Sequence, residues 1–432
     1  MKISSDQLAR QLESAVGAEA VESDVAKLTN YAIDSIKPAL LCFPDSAEQI
    51  AAALRICAEA EAAVAPWGGG TAMAIGNLPR GVDVVLALNR LNRFVEHDHA
   101  NLTATVEAGM TLAGAQATVA RQNQFAPFDA PHPAHATIGG IVSANLNGPR
   151  RTFYGSVRDL VIGMRVVLAS GEQIKAGGKV VKNVAGYDMC KLFVGSLGTL
   201  GVITELTLRM APTPEYGATV IASGTLPQVS QLAGELARSS LLPAAVVIFH
   251  CKINNIVPRE WAVAVRTEGF AESVSRHIGD AQTVAVRHGL SIGTLRDDAH
   301  DRFWRDIADF PLPPNRLVYR LTLPRASLSE FETVWQNWQG LQQAPAVVAD
   351  TAGGVVWLSF DGNSSAAEFF SQLVFFARKQ RGHAVMFSAP GSVKKDLDVW
   401  GATPAALSLM REVKRQFDPM GLLNPGRFVG GI

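Results

Sequence analysis

The chain has 432 residues, 48% of them hydrophobic and 18% charged, which suits two or three folded domains with a large core and argues against a disordered chain. Lys plus Arg and Asp plus Glu are equal at 39 each, so no net field points to nucleic acid or to a membrane surface. The four cysteines, Cys42, Cys57, Cys190 and Cys251, are scattered without a C-x-x-C pair, which argues against a zinc site or an iron–sulfur cluster held by this chain alone.

Residues Gln7–Val16 read as an amphipathic helix, preceded by a short polar start that lacks the apolar core of a signal peptide. No run reaches the ~18 apolar residues of a spanning helix, so a cytoplasmic location is expected by default. Ser46 is placed to cap a helix, with Gln49 three residues on as in a capping box; Ile50, Ala53, Leu54 and Cys57 then share one face up to about Glu61. An apolar run from Ala62 to Ala65 feeds Pro66-Trp67-Gly68-Gly69-Gly70-Thr71. Three successive glycines let backbone approach another group closely and let N–H groups converge on an anion; the plain alternative is a surface turn.

Gly81–Leu88 and Leu102–Ala108 read as strands, and Thr111 caps a helix reaching Gln122. A turn-rich stretch, Phe128–His135, leads to a second glycine cluster, Ala136-Thr137-Ile138-Gly139-Gly140-Ile141, at the start of a helix. Val161–Leu168 and Gln173–Lys175 form a hairpin about Ser170-Gly171-Glu172. A third cluster, Gly195-Ser196-Leu197-Gly198-Thr199-Leu200-Gly201, precedes a strand over Val202–Met210, and Ala211-Pro212-Thr213-Pro214 reads as a boundary.

Beyond it, strands (Ala218–Ala222, Ala244–His250, Trp261–Arg266, Arg316–Leu323, Gly354–Phe360) are interspersed with helices (Gln228–Ser239, Ala271–His288, Leu328–Leu341, Ala366–Arg381). This order predicts an α+β unit whose sheet is covered on one face. A helix over Pro404–Phe417 and a Pro/Gly/Asn-rich tail complete the chain. Trp335 with Trp338, and Phe369 with Phe370, are expected in the core.

The glycine clusters match neither common nucleotide fingerprint. Met73 stands where G-x-G-x-x-G needs its last glycine, no acidic residue about 20 positions on completes a Rossmann unit, and G-x-x-x-x-G-K-[ST] is absent. Taken in order, however, Pro66–Thr71, Ala136–Gly140 and Gly195–Thr204 resemble the three flavin loops of the vanillyl-alcohol-oxidase and para-cresol-methylhydroxylase (PCMH-type) flavoproteins. Phe417-Asp418-Pro419-Met420-Gly421-Leu422-Leu423-Asn424-Pro425-Gly426 is similar to the C-terminal return segment of their 2-hydroxy-acid branch. Asn147–Arg151, Gly155–Asp159 and Lys182–Asp188 narrow the resemblance to the FAD-binding subunits of bacterial glycolate oxidases.

The resemblance implies an α+β fold with a two-lobed FAD-binding domain over 1–212 (lobes about 1–95 and 96–212), an α+β cap over 213–403, and a helix and tail over 404–432 returning to the flavin domain. It implies non-covalent FAD held by Pro66, Trp67, Gly68, Gly69, Gly70, Thr71, Pro131, Thr137, Ile138, Gly139, Gly140, Ser143, Gly198, Thr199, Gly201, Val202, Ile203 and Asn424. It implies oxidation of glycolate, with D-lactate as the neighbouring substrate. The implied partners are a second, catalytic-type FAD subunit and an iron–sulfur subunit that takes the electrons, and any membrane association would come through them.

No basic cluster flanks Gly68–Thr71, so backbone donors are expected to meet the pyrophosphate. The family's catalytic subunits carry a cap histidine motif and a Glu-His-Gly motif. Here Asp350-Thr351-Ala352-Gly353-Gly354 and Gly382-His383-Ala384 stand near those places, and Leu197 replaces the glutamate common in the third motif. Catalytic candidates are therefore sparse: His132, Tyr187 and His383. Arg150, Arg151 and Arg158 are candidates for a carboxylate or phosphate, and Lys182 for the flavin's negative charge; His97 and His99 have too few companions for a metal. Two other readings stay open: a self-sufficient FAD-dependent 2-hydroxy-acid dehydrogenase of D-lactate type, and an assembly subunit whose flavin is inert.

Overall fold

The computed structural model describes residues 4–179, 187–258, 260–313, 316–328, 330–331, 345–361 and 366–432. Two helices cover the first sheet. Ser5–Val16 (α1) buries Leu8, Leu12 and Val16 along one stripe. Ala47–Glu59 (α2) is capped by Ser46, whose Oγ accepts from the Gln49 N–H at 3.3 Å; the Gln49 side chain reaches back one residue further than a capping box requires, to the Asp45 N–H at 2.8 Å. Both pack on a first sheet of Val21–Glu22 (β1), Leu40–Cys42 (β2), Val64–Trp67 (β3) and Val84–Ala87 (β4), in the order β1-β2-β4-β3. Its three parallel strands are apolar almost throughout because both faces are covered.

The second sheet is antiparallel. It contains Phe94–Asp98 (β5), Thr103–Glu107 (β6), Val161–Val167 (β8), Gln173–Gly177 (β9) and Val202–Arg209 (β10), in the order β5-β6-β10-β8-β9. A short pair, Gln124–Phe125 (β7) with Ala211–Pro212 (β11), closes this part of the chain. Leu112–Val119 (α3) and Ile138–Ala144 (α4) cover the sheet, each capped by a threonine, Thr111 and Thr137.

Eight described strands make the third sheet: Tyr216–Gly224 (β12), Ala245–His250 (β13), Trp261–Gly269 (β14), Ser291–Arg296 (β15), Leu317–Thr322 (β16), Ala346–Asp350 (β17), Val355–Phe360 (β18) and His383–Ser388 (β19). All pairings are antiparallel, in the order β15-β12-β14-β13-β17-β18-β16-β19. Leu226–Ala237 (α5), Ala271–Arg287 (α6) and Ala366–Lys379 (α7) cover one face, with Phe369 and Phe370 packed on Tyr319.

The expectation of a sheet covered on one face is corrected. A further helix, Asp297–Asp309 (α8), buries Phe303, Trp304 and Ile307 against the second face, and Val318 and Phe387 of that face join the core of the second lobe. Leu407–Phe417 (α9) then leads the tail back beside β3, where the Val64 N–H donates to Leu422 O at 2.8 Å and the Asn424 N–H to Val64 O at 2.9 Å. The expected helix over Leu328–Leu341, with Trp335 and Trp338, lies largely outside the described residues.

Candidate functional site

Strand β3 delivers the first glycine loop to the second. A β-carbon on Gly68 would lie 2.2 Å from Thr137 Oγ1, and one on Gly69 only 1.7 Å from the His135 carbonyl oxygen, so no larger residue fits between the two segments. Thr137 Oγ1 accepts from the Gly140 N–H at 3.2 Å and fixes the start of α4. Two adjoining clefts run along this seam. Pro66, Gly68, Gly69, Gly70, Thr71, Thr137, Gly140, Ser143 and Asn424 line the first, with Leu197 and Arg427. Pro66, Trp67, Gly68, Thr137, Gly139, Gly140, Ser143, Gly198, Gly201, Val202 and Ile203 line the second. The side chains of Ile138 and Thr199 turn away: Ile138 is fully buried in the core and Thr199 Oγ1 bonds to Ser196 O at 2.7 Å.

The tail decides the chemistry of the first cleft. Asn424 Nδ2 donates to Leu197 O at 2.6 Å, while the buried Asn424 Oδ1 has no partner. Arg427, 2% exposed, donates from Nη2 to Met73 O at 2.8 Å and to Ile75 O at 2.5 Å, and its Nη1 has no partner. Burial pushes its pKa down to about 10, so it stays cationic at neutral pH. No acidic side chain lines this cleft. Backbone amides, an unpaired guanidinium nitrogen and an open amide oxygen fit a pyrophosphate with an attached sugar. Arg427 lies one residue beyond the tail motif that ends at Gly426, and 354 positions separate it from Met73, so no local pattern marks the contact.

A cavity of about 220 Å3 lies where the third sheet faces the segment from Asp129 to Arg151. Strand alternation builds its wall. Val348, Trp357 and Arg320 are cross-strand neighbours, as are Asp350, Val355 and Thr322, and all six line the cavity. Asp129, Pro131, Asn145–Pro149 and Arg151 face them, so Pro131 belongs here and not in the glycine clefts. Asn145 follows α4 directly, so the cavity adjoins the C-terminal end of the short helix whose Gly140 and Ser143 line the clefts.

Three of the cavity's four charged side chains are spoken for. Arg151 Nη2 donates to Gly353 O at 2.7 Å, and its Nε lies 3.6 Å from Asp350 Oδ2. Asp129 Oδ2 accepts the Arg150 N–H at 2.9 Å, and Arg150 goes on to pair with Glu268. Arg320 has no carboxylate partner among the described residues; its Nε is buried and unpaired, and its guanidinium lies 5.9 Å from the Trp357 ring and 5.2 Å from Phe387. Burial and then Arg151 push its pKa down to about 10. Burial raises the Asp350 carboxyl to about 6 against the Gly353 N–H and Arg151. The cavity thus offers a cation for an anion and a carboxyl able to exchange a proton near neutral pH.

The sequence candidates fall elsewhere. His132 ties the second lobe to the segment after α8: its N–H donates to Asp309 Oδ1 at 2.7 Å and its Nε2 lies 2.8 Å from Leu312 O. Tyr187 is 92% exposed. His383 starts β19 beside Thr322, half-buried and outside the cavity lining, with its pKa lowered by burial and then by Arg320. Arg158 is exposed, and Lys182 lies outside the described residues. Among the described residues no three His, Cys, Asp or Glu side chains group as a metal site, and His97 instead meets Gln124 Oε1 at 3.0 Å.

Comparison with known proteins gives this geometry a family. The FAD binding domain model matches residues 38–177, and the C-terminal domain model of FAD linked oxidases matches residues 391–428. Glycolate oxidase subunit GlcE of Escherichia coli K12 is 31% identical over 340 residues, 77% of this chain and 83% of that protein. Glycolate oxidase subunit GlcD of Bacillus subtilis is 27% identical over 425 residues, 90% of this chain and 88% of that protein. D-lactate and D-2-hydroxyglutarate dehydrogenases are further relatives. The crystal structure of p-cresol methylhydroxylase with substrate bound superposes with a TM-score of 0.75 at 16% identity, covering 98% of this chain and 96% of that one.

Proposed function

This chain belongs to the PCMH-type FAD-linked oxidoreductases that include the glycolate oxidase subunits GlcD and GlcE, with FAD as cofactor and 2-hydroxy acids as the substrate class, and we propose that it is the FAD-binding subunit of a glycolate oxidase complex. One observation carries the reading: the cleft closed by the C-terminal tail, in which Asn424 Oδ1 and Arg427 Nη1 are left for a ligand, in a chain 31% identical to a GlcE subunit. In this reading residues 1–212 form the flavin domain, 213–403 the cap and 404–432 the returning tail. Gly68–Thr71, Thr137, Gly140, Ser143, Asn424 and Arg427 hold the pyrophosphate without a covalent link, and Val202 and Ile203 contact the nucleoside.

Bound there, FAD supplies the two-electron oxidant. The chain's own residues hold the cofactor, exclude water beneath the cap and present the cavity to glycolate. Electrons leave to an iron–sulfur partner, since no cysteine cluster among the described residues can hold iron. No described helix is long and apolar enough to cross a membrane, so attachment at the inner membrane would be peripheral and through partners.

A second reading, turnover at this chain's own flavin, is favoured over an inert flavin by the unpaired Arg320 in the cavity. Anaerobic visible spectra of the purified chain, with and without glycolate, test both. A yellow chain bleached by glycolate supports turnover here. A yellow chain bleached only with its partners present supports the subunit role. A colourless chain that FAD does not reconstitute overturns both.

A further inference from the structure

The C-terminal tail has a second face. Asn424 and Arg427 line the first glycine cleft, whereas Pro425 and Gly426, between them, line a groove of about 540 Å3 that shares no lining residue with either cleft. Four cations border this groove: Arg80, and Arg411, Lys414 and Arg415 of α9. One acidic side chain answers them. Asp418 is engaged by Lys414 at 2.6 Å and by the N–H groups of Leu422 and Leu423 at 3.0 and 2.8 Å. Ile432 O accepts the Phe428 N–H at 2.9 Å; even with a terminal carboxylate counted there, two positive charges are left over, in a chain whose formal charge is zero.

The surplus is fixed in place. Arg80 Nη2 donates to Gly431 O at 2.5 Å and Arg411 Nη2 to Gly430 O at 3.1 Å, and among the described residues neither guanidinium meets a carboxylate. Arg415 stands one turn from Arg411 on α9, ~5–6 Å away at the β-carbons, and has no hydrogen-bonded or acidic partner among the described residues. Planar guanidinium groups take phosphate oxygens through paired N–H groups. Pro419, Met420 and Pro425 give the groove an apolar side beside these cations, and its volume falls within the ~300–1,000 Å3 usual for small-molecule sites.

We propose that this groove binds a diphosphate-bearing anion, as free pyrophosphate or as a nucleoside diphosphate, and that the bound anion braces the tail and so tightens the hold on FAD. The second part rests on the FAD reading above. An anion gripped by Arg80, Arg411 and Arg415 ties α9 to the start of the tail's outer wall, and the same wall carries Asn424 and Arg427 into the cleft. Lys414 joins the two faces, since it lines the groove and also donates to Thr199 O and Leu423 O at 2.8 and 3.0 Å.

Calorimetric titration of the FAD-loaded chain with pyrophosphate, ADP and orthophosphate tests this, because FAD then fills the clefts that an ADP moiety can enter. Pyrophosphate or ADP should bind at a single site, at least about 10-fold more tightly than orthophosphate, and more weakly as ionic strength rises. ADP bound more tightly than pyrophosphate supports a nucleotide as the occupant; equal affinities support the free anion. Arg411→Gln combined with Arg415→Gln should weaken binding about 10- to 100-fold with the melting temperature unchanged, since both side chains are exposed. Lysine at both positions should recover part of the loss. Release of FAD, followed by flavin fluorescence, should slow about 5-fold or more with pyrophosphate bound, and the glutamine pair should abolish that effect. No binding by the wild type, or equal binding by the glutamine pair, overturns the site. Binding that leaves FAD release unchanged overturns the brace. A colourless chain that binds pyrophosphate through these arginines supports the site and overturns the flavin reading.

Discussion

Asn424 Nδ2 donates to the carbonyl oxygen of Leu197 at 2.6 Å, across 227 positions of sequence. Leu197 (φ 52) and Gly198 (φ 67) turn the third glycine cluster through the left-handed region, which disfavours a leucine. The tail holds that turn from above, and Lys414 secures the tail by donating to Thr199 O, Asp418 and Leu423 O at 2.8, 2.6 and 3.0 Å. Asn424→Ala should therefore raise the FAD dissociation constant about 10-fold, the scale of one hydrogen bond between part-buried groups. Flavin fluorescence titration measures it, and an unchanged constant would show that the tail does not shape the cleft.

The same substitution should act with opposite sign at two glycines. Gly69→Ala places a methyl group 1.7 Å from the His135 carbonyl oxygen, so the two loops must part; the 450 nm absorbance of the purified protein should fall to the background of an apoprotein. Gly279→Ala lies inside α6 with nothing within 4 Å of the added carbon, and should stabilise the chain by about 0.5–1 kcal/mol through helix propensity. Urea denaturation reads the second effect and visible absorbance the first.

Glu268 clamps the third sheet to the second lobe. It pairs with Arg150, accepts from Arg266 Nε at 2.5 Å and from Tyr154 OH at 2.9 Å, and its side chain is 1% exposed. Burial pushes its carboxyl pKa up, but Arg266 and Arg150 outweigh burial and hold it below the ordinary value of 4.5. With the folded pKa depressed, the stabilisation is present above pH 4.5 and is lost as pH falls through the folded value. Glu268→Gln leaves the buried Arg266 guanidinium without an acid and Arg150 with Asp129 alone, and should cost about 3–5 kcal/mol, measured by urea unfolding at pH 7. A loss under 1 kcal/mol would mean that the clamp does not hold the fold.

His300 gives a second acid-sensitive contact. It is 4% exposed, its Nδ1 lies 2.8 Å from Thr219 Oγ1, and burial pushes its pKa down to about 4 from 6.5. The unfolded chain takes up this proton first, so stability is intact above pH 6.5 and falls as pH drops towards 4, by roughly 3 kcal/mol from this group. His300→Asn should flatten the pH dependence of unfolding free energy in that window. An unchanged slope would remove His300 from the account.

Local chemistry was legible in the chain. Ser46 capped its helix, the hairpin about Gly171 formed, and the apolar run before Gly68 became β3. Each depends on a few consecutive residues whose propensities agree. The exposed edge strand β15, rich in Ser, Gly and Thr, carries little apolar alternation and was not legible, and neither was α8, whose burial depends on the sheet it meets.

The sequence by itself determined that three glycine clusters and an Asn-bearing tail are present, in an order that resembles a flavin fold. It also determined that Arg320 interrupts an apolar strand and that Arg427 follows the tail motif. Only the tertiary structure decided which partners these arginines have. Whether a guanidinium is paired depends on which carboxylates lie beside it in space. Arg150 has Glu268, 118 positions away, whereas Arg320 has, among the described residues, two aromatic rings and no carboxylate. A side chain's charge is written in the sequence, but its neutralisation is a property of the neighbours that folding supplies.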